Sequence, residues 1–145
     1  MKRAGASMEY SQERMMHVMQ LHDEYIATAK YIRMNDLYAY ITQSATPRFF
    51  VSEERTVTVI SYMMRGMKLK RMRPLKREMF REIHRRVIAL KKLHPDWTLR
   101  KLCDTAIRQP APKLYLSEGS IKIMVCKIRK QWIAEKMKKL QPLSR

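Results

Sequence analysis

Arg77, Arg81 and Arg85 recur every four residues, and Lys92 continues their line, so a helix through them would carry a row of cations on one face. Lys76, Arg86 and Lys91 flank that row, and Arg71 and Arg73 lead into it together with Lys68 and Lys70. A second basic group, Lys122, Lys127, Arg129 and Lys130, lies near the end of the chain. Fixed cations at helical spacing neutralise phosphates and release their counterions, which is the chemistry of nucleic-acid binding.

Signals of other chemistry are weak. His17, His22, His84 and His94 lack metal-ligand partners at the spacings zinc sites use, and with glycine only at positions 5, 66 and 119 there is no phosphate-cradling loop. The acidic residues of the second half have cap or ion-pair explanations, as for Glu82 and Arg86 at i, i+4. No catalytic residue, metal or cofactor is expected, and the chain does not read as an enzyme. Cys103 and Cys126 are expected to be buried thiols, and His17 and His22 surface or boundary residues. The chain shows no secretory signal pattern and no apolar run near the roughly 18 residues that span a bilayer, so a cytoplasmic protein without membrane attachment is expected, nucleoid- or virion-associated localisation included.

The elements that must position these cations follow from charge and periodicity. Of a net +18, residues 1–64 contribute nothing, with seven basic and seven acidic side chains, whereas residues 65–145 hold 24 basic and six acidic ones. That density opposes compaction unless an anionic partner offsets it. The sequence also matches itself at an offset of 65. Pro47-Arg48-Phe49-Phe50-Val51-Ser52-Glu53 returns as Pro112-Lys113-Leu114-Tyr115-Leu116-Ser117-Glu118. Beyond it, Thr56, Val59, Ile60, Met63 and Met67 fall on Ile121, Met124, Val125, Ile128 and Trp132, one helical stripe that only Thr56 breaks.

The expected fold is all-α: a tandem duplication of a three-helix, helix-turn-helix-like unit with an extended connection before each third helix. The expected parts are a flexible arm over 1–9, a neutral repeat over 10–68 for scaffolding or self-association, a basic repeat over 69–141 for nucleic-acid binding, and a tail over 142–145. A lone unit of about 65 residues would bury too little surface, so the copies are expected to share at least one helix. Helices are expected from about Tyr10 to Lys30, Arg33 to Gln43, Ser52 to Lys68, Pro74 to Leu93, Thr98 to Arg108 and Ser117 to Lys139, with short strands conceivable only at 48–51 and 113–116. Ile121, Met124, Val125, Ile128 and Trp132 are placed inside, which sends Lys122, Lys127, Arg129 and Lys130 out. Alternation along the repeated segment would bury Phe49, Val51, Leu114 and Leu116 and expose Arg48, Phe50, Lys113 and Tyr115, a basic and aromatic pairing suited to phosphate and base contact, unless the aromatics seal the core.

A short helix, a connection and a Ser-capped amphipathic helix with basic outer positions, at 98–139 and in neutral form at 33–68, loosely resembles helix-turn-helix DNA-binding proteins. The connection of about eight residues is longer than that class uses. Small basic accessory proteins of phages and mobile elements, DNA-packaging small subunits among them, are similar in style. The expected function is phosphate-directed binding of nucleic acid, DNA before RNA, through Arg71, Arg73, Lys76, Arg77, Arg81, Arg85, Lys92, Lys113, Lys122, Lys127, Arg129 and Lys130. Self-association or a protein partner is assigned to 10–68. The alternatives are an assembly component of a virion or ribonucleoprotein and, more weakly, a protein bound to anionic membrane surfaces.

Overall fold

The computed structural model describes residues 4–140, with side chains from Tyr10 onward. Six helices follow in order: α1 (Ala4–Thr28), α2 (Met34–Gln43), α3 (Glu53–Met64), α4 (Pro74–Leu93), α5 (Leu99–Ile107) and α6 (Glu118–Leu140). Among the described residues there is no strand, only an isolated antiparallel bridge between Thr46 and Ala111.

Local chemistry sets most of these boundaries. The Ser52 hydroxyl accepts from the Arg55 amide at 3.1 Å, and Glu53 and Glu54 occupy the first turn of α3, where carboxylates offset the exposed amides. Thr98 caps α5 by accepting from Lys101 N–H at 3.2 Å, and Ser117 caps α6 by accepting from Ser120 N–H at 3.1 Å. Pro74 opens α4, where its missing N–H costs no helical hydrogen bond. Helix α3 stops at Met64, short of Lys68, because Gly66 takes φ 82°, letting Met67 N–H reach Tyr62 O at 3.1 Å and its own N–H reach Met63 O at 3.0 Å. Helix α1 starts at Ala4, earlier than Tyr10; residues 1–3 of the expected arm and the tail 142–145 lie outside the described residues.

Grouping in space is not grouping along the chain. Helix α3 packs against α4 and α5, and α6 packs against α1 and α2, so each three-helix bundle borrows its third helix from the other half of the sequence. Phe49, Ile60, Phe80, Ile83, Leu102 and Ile107 fill the first core. Val18, Leu37, Ile41, Phe50, Ile121 and Val125 fill the second. Segments 44–52 and 109–117 carry the chain across and pass each other at the bridge. There Thr46 and Ala111 each donate an amide to the other's carbonyl at 2.9 Å. Past the crossing, Phe49 N–H caps the end of α5 through Ile107 O at 2.9 Å, and Leu114 N–H reaches Thr42 O in α2 at 3.4 Å. Thr46 with Ala111, Phe49 with Leu114 and Thr42 with Ile107 are all 65 positions apart.

This crossing corrects the simple in-and-out alternation. Each extended segment runs between two cores rather than between a core and water, so consecutive side chains are both buried, one on each side. Phe49 enters the first core and Phe50 the second; Leu114 enters the second and Tyr115 the first. Phe50 and Tyr115 are therefore buried, the core-sealing placement rather than the exposed one that alternation alone would give, and Tyr115 stacks on Phe49 with ring centroids 6.0 Å apart. Thr56, the polar break in the stripe, is fully buried, with its hydroxyl donating to Ser52 O at 2.8 Å. Trp132 departs from its expected place inside, standing 60% exposed because α6 outruns the bundle after Ile128.

Candidate nucleic-acid interface

Building each bundle from both halves of the sequence redistributes the charge. Residues 53–108, which form the α3–α4–α5 bundle, carry sixteen basic and six acidic side chains, a net of +10. The helices of the other bundle, spanning 4–43 and 118–140, carry ten basic and seven acidic side chains, a net of +3. Lys122, Lys127, Arg129 and Lys130 thus sit with the neutral helices α1 and α2, and α4 and α6 do not pack together.

A carboxylate-free cationic surface lies where α3, the 65–73 connection and the first half of α4 meet. Two adjoining open cavities mark it. One, of about 550 Å³, is lined by Arg55, Lys68, Lys70, Arg71, Arg73 and Lys76 with Leu69 and Met72. The other, of about 470 Å³, is lined by Lys68, Lys70, Arg77, Arg81 and His84 with Met63, Gly66, Met67 and Leu69. Neither lining includes a carboxylate. The α4 N-terminus in their midst has no acidic residue in its first turn and no side-chain cap, so its free amides add to the positive field. Leu69 and Met72 pack on the first core and anchor the connection that presents these cations.

The structure brings together Arg71, Arg73, Lys76, Arg77 and Arg81, and adds Arg55, Lys68 and Lys70 to them. Lys68 and Lys70 were legible as part of the same basic run. Arg55 was not, because it belongs to the electrically neutral stretch and reaches this surface only because α3 packs against α4 and α5. Arg85 is exposed but pairs with Glu82 at 2.7 Å, and Arg86 uses Glu82 at 2.9 Å, Pro110 O at 2.6 Å and the Phe49 ring face at 4.9 Å. Lys113 is half-buried and paired with Glu78 at 2.8 Å, and Lys92 stands exposed in the last turn of α4. Arg48 is turned inward, toward Glu13 at 3.5 Å and Phe49 O at 3.1 Å.

On α6, Lys122, Lys127 and Lys130 are exposed, whereas Arg129 donates to His22 Nε2 at 2.7 Å and so ties α6 to α1. An arginine only donates, so the His22 proton sits on Nδ1, facing Asp23 Oδ1 at 3.0 Å. His22 is 5% exposed, not a surface residue, and His17 is half-buried with its affinity for a proton lowered by burial. Cys103 is buried as expected; Cys126 is exposed, on the face of α6 away from the core. The short helix and capped helix at 98–139 do not pack as a pair, since the 109–117 connection delivers α6 to the other bundle and α5 packs with α3 and α4 instead.

Among the described residues no group of His, Cys, Asp and Glu is placed to hold a metal ion, and no helix is long and apolar enough to cross a membrane. No family model, curated protein or solved structure matches the chain.

Proposed function

We propose that this is a non-enzymatic nucleic-acid-binding protein, DNA before RNA, that holds its ligand by the phosphates along the α3–connection–α4 surface. One observation carries the reading: Arg55, Lys68, Lys70, Arg71, Arg73, Lys76, Arg77 and Arg81 converge around an uncapped helix start with no carboxylate in either cavity lining. Such a surface suits a run of phosphates, which want several cations and free amides at once. Solubility alone requires neither the convergence nor the exclusion of acids. Lys122, Lys127 and Lys130 form a secondary basic patch on the other bundle rather than a continuation of the same track.

The same proposal includes the origin of the fold, a tandem duplication in which the two copies have exchanged third helices. Its support is the recurrence of equivalent roles 65 residues apart, from the mutual bonding of Thr46 and Ala111 to the paired caps at Thr42 and Ile107. The test of function is a binding titration with duplex and single-stranded DNA and RNA at several salt concentrations. Phosphate-directed binding predicts a logarithmic decline in affinity with salt whose slope counts the phosphates neutralised; no salt-sensitive binding to any probe would refute it.

A further inference from the structure

Helix α6 has two apolar faces, and only one is used by its own fold. Ile121 and Val125 enter the second core, and Ile128 is buried at the edge of the α1–α6 groove described below. On the opposite side Ile123, Cys126, Lys130, Ile133, Met137 and Leu140 follow one another in alternating steps of three and four, the seam spacing of helices that pair. All six are exposed, Ile123 at 69%, Ile133 at 62%, Met137 at 61% and Leu140 at 73%. Past Ile128 no described side chain of α6 is buried, and beyond Arg129 and Trp132, which still touch α1, residues 133–140 cover about 12 Å of helix at a rise of about 1.5 Å per residue with every side chain exposed. Basic side chains surround this projection, including Lys127, Arg129 and Lys136.

Beside the root of that projection lies a largely apolar groove of about 820 Å³ between α1, α6 and the 44–52 connection, its lining including Met15, Met19, Phe50 and Trp132. Glu13, Asp23 and Glu24 also line it, giving it the opposite charge to the projection.

We infer that the projecting end of α6 docks in this groove of a second copy of the chain, forming a reciprocal dimer. Charge selects the pairing. Two projections laid seam to seam would oppose Lys127, Arg129 and Lys136 of each helix, like charges against like. Projection into groove sets basic flanks against Glu13, Asp23 and Glu24 and covers Ile133, Met137 and Leu140 with adaptable methionines. Groove and projection lie side by side on one molecule, so a two-fold operation satisfies both at once, as closed dimers require. The inference stands on the α1–α6 bundle and is independent of the proposed nucleic-acid surface.

Sedimentation equilibrium of the nuclease-treated full chain tests it. The expected mass is twice 17.4 kDa. The double substitution Met137→Glu and Leu140→Glu in the projection, and Met16→Glu at the groove, should each weaken the dimer about tenfold or more with helical content unchanged in circular dichroism, since all three side chains are exposed. Mixing projection and groove variants should restore hetero-association, because one intact contact remains in that pair. Glu13→Lys with Asp23→Lys should weaken the dimer without touching any apolar side chain. A wild-type chain that stays monomeric at high concentration overturns the inference. So does a dimer that survives Met16→Glu and is locked by oxidation of Cys126, which would place seam against seam.

Discussion

Thr46 and Ala111, 65 residues apart, are hydrogen-bonded to each other twice, each amide to the other's carbonyl at 2.9 Å. The bridge fastens the point where the chain crosses from one bundle to the other. Because the chain crosses here to deliver α3 to α4 and α5, and α6 to α1 and α2, neither bundle can lose its third helix without disturbing the other.

Thermal unfolding should therefore be one transition, although there are two cores. Phe49→Ala removes a ring that is 1% exposed, stacked on Tyr115 and covered by Arg86. A loss of about 3–5 kcal/mol is expected. Phe50→Ala, acting on the second core, should shift the same transition. Calorimetry showing two separately shifted transitions would mean that the bundles unfold independently.

The caps make a smaller, local claim. Ser52→Ala and Thr98→Ala each remove a hydroxyl that accepts a first-turn amide, at 3.1 and 3.2 Å. Each should cost about 1 kcal/mol in chemical denaturation, and the glycine replacement less than the alanine.

Charge reversal should separate the two basic patches. Arg73→Glu, Lys76→Glu and Arg77→Glu together should abolish nucleic-acid binding, since all three line the carboxylate-free cavities. Lys122→Glu with Lys127→Glu should weaken it only slightly. Equal losses from both sets would show that the ligand spans both bundles; gel-shift titrations at two salt concentrations distinguish the cases.

His17 supplies a pH dependence whose sign is fixed. Burial, the largest influence on it, lowers its pKa below the ordinary 6.5, against the opposing hydrogen bond to Ala45 and the charge of Glu24. The unfolded chain then binds a proton at this site more readily than the folded one, so His17's contribution to stability is fully present above about pH 6.5 and is lost as pH drops toward the lowered value. Denaturant midpoints measured from pH 8 to pH 5 should decline, and His17→Gln should flatten that part of the decline.

The two thiols should differ in reactivity. Burial, reinforced by the Glu53 charge, pushes Cys103 up to about 11, leaving it protonated at neutral pH, whereas Cys126 is exposed. Thiol titration should find one reactive group in the native protein and a second only after denaturation.

The sequence by itself determined the local structure. Ser52, Pro74, Thr98 and Ser117 announce helix starts because capping is a matter of a few neighbouring atoms, and the apolar stripes name the buried faces of α3 and α6 as far as Met63 and Ile128. The row Arg77, Arg81 and Arg85 was equally legible, since helical spacing alone puts these residues on one side.

Which helix completes which bundle was decided only in three dimensions. A stripe on α3 or α6 states that a face is buried and not against what, so the same pattern suits an own or an exchanged partner. From that choice follow the burial of Phe50 and Tyr115, the arrival of Arg55 beside Lys70 and Arg71, and the separation of Lys122 and Lys127 from α4. Periodicity is a property of one helix, whereas a site is a property of the helices that happen to meet.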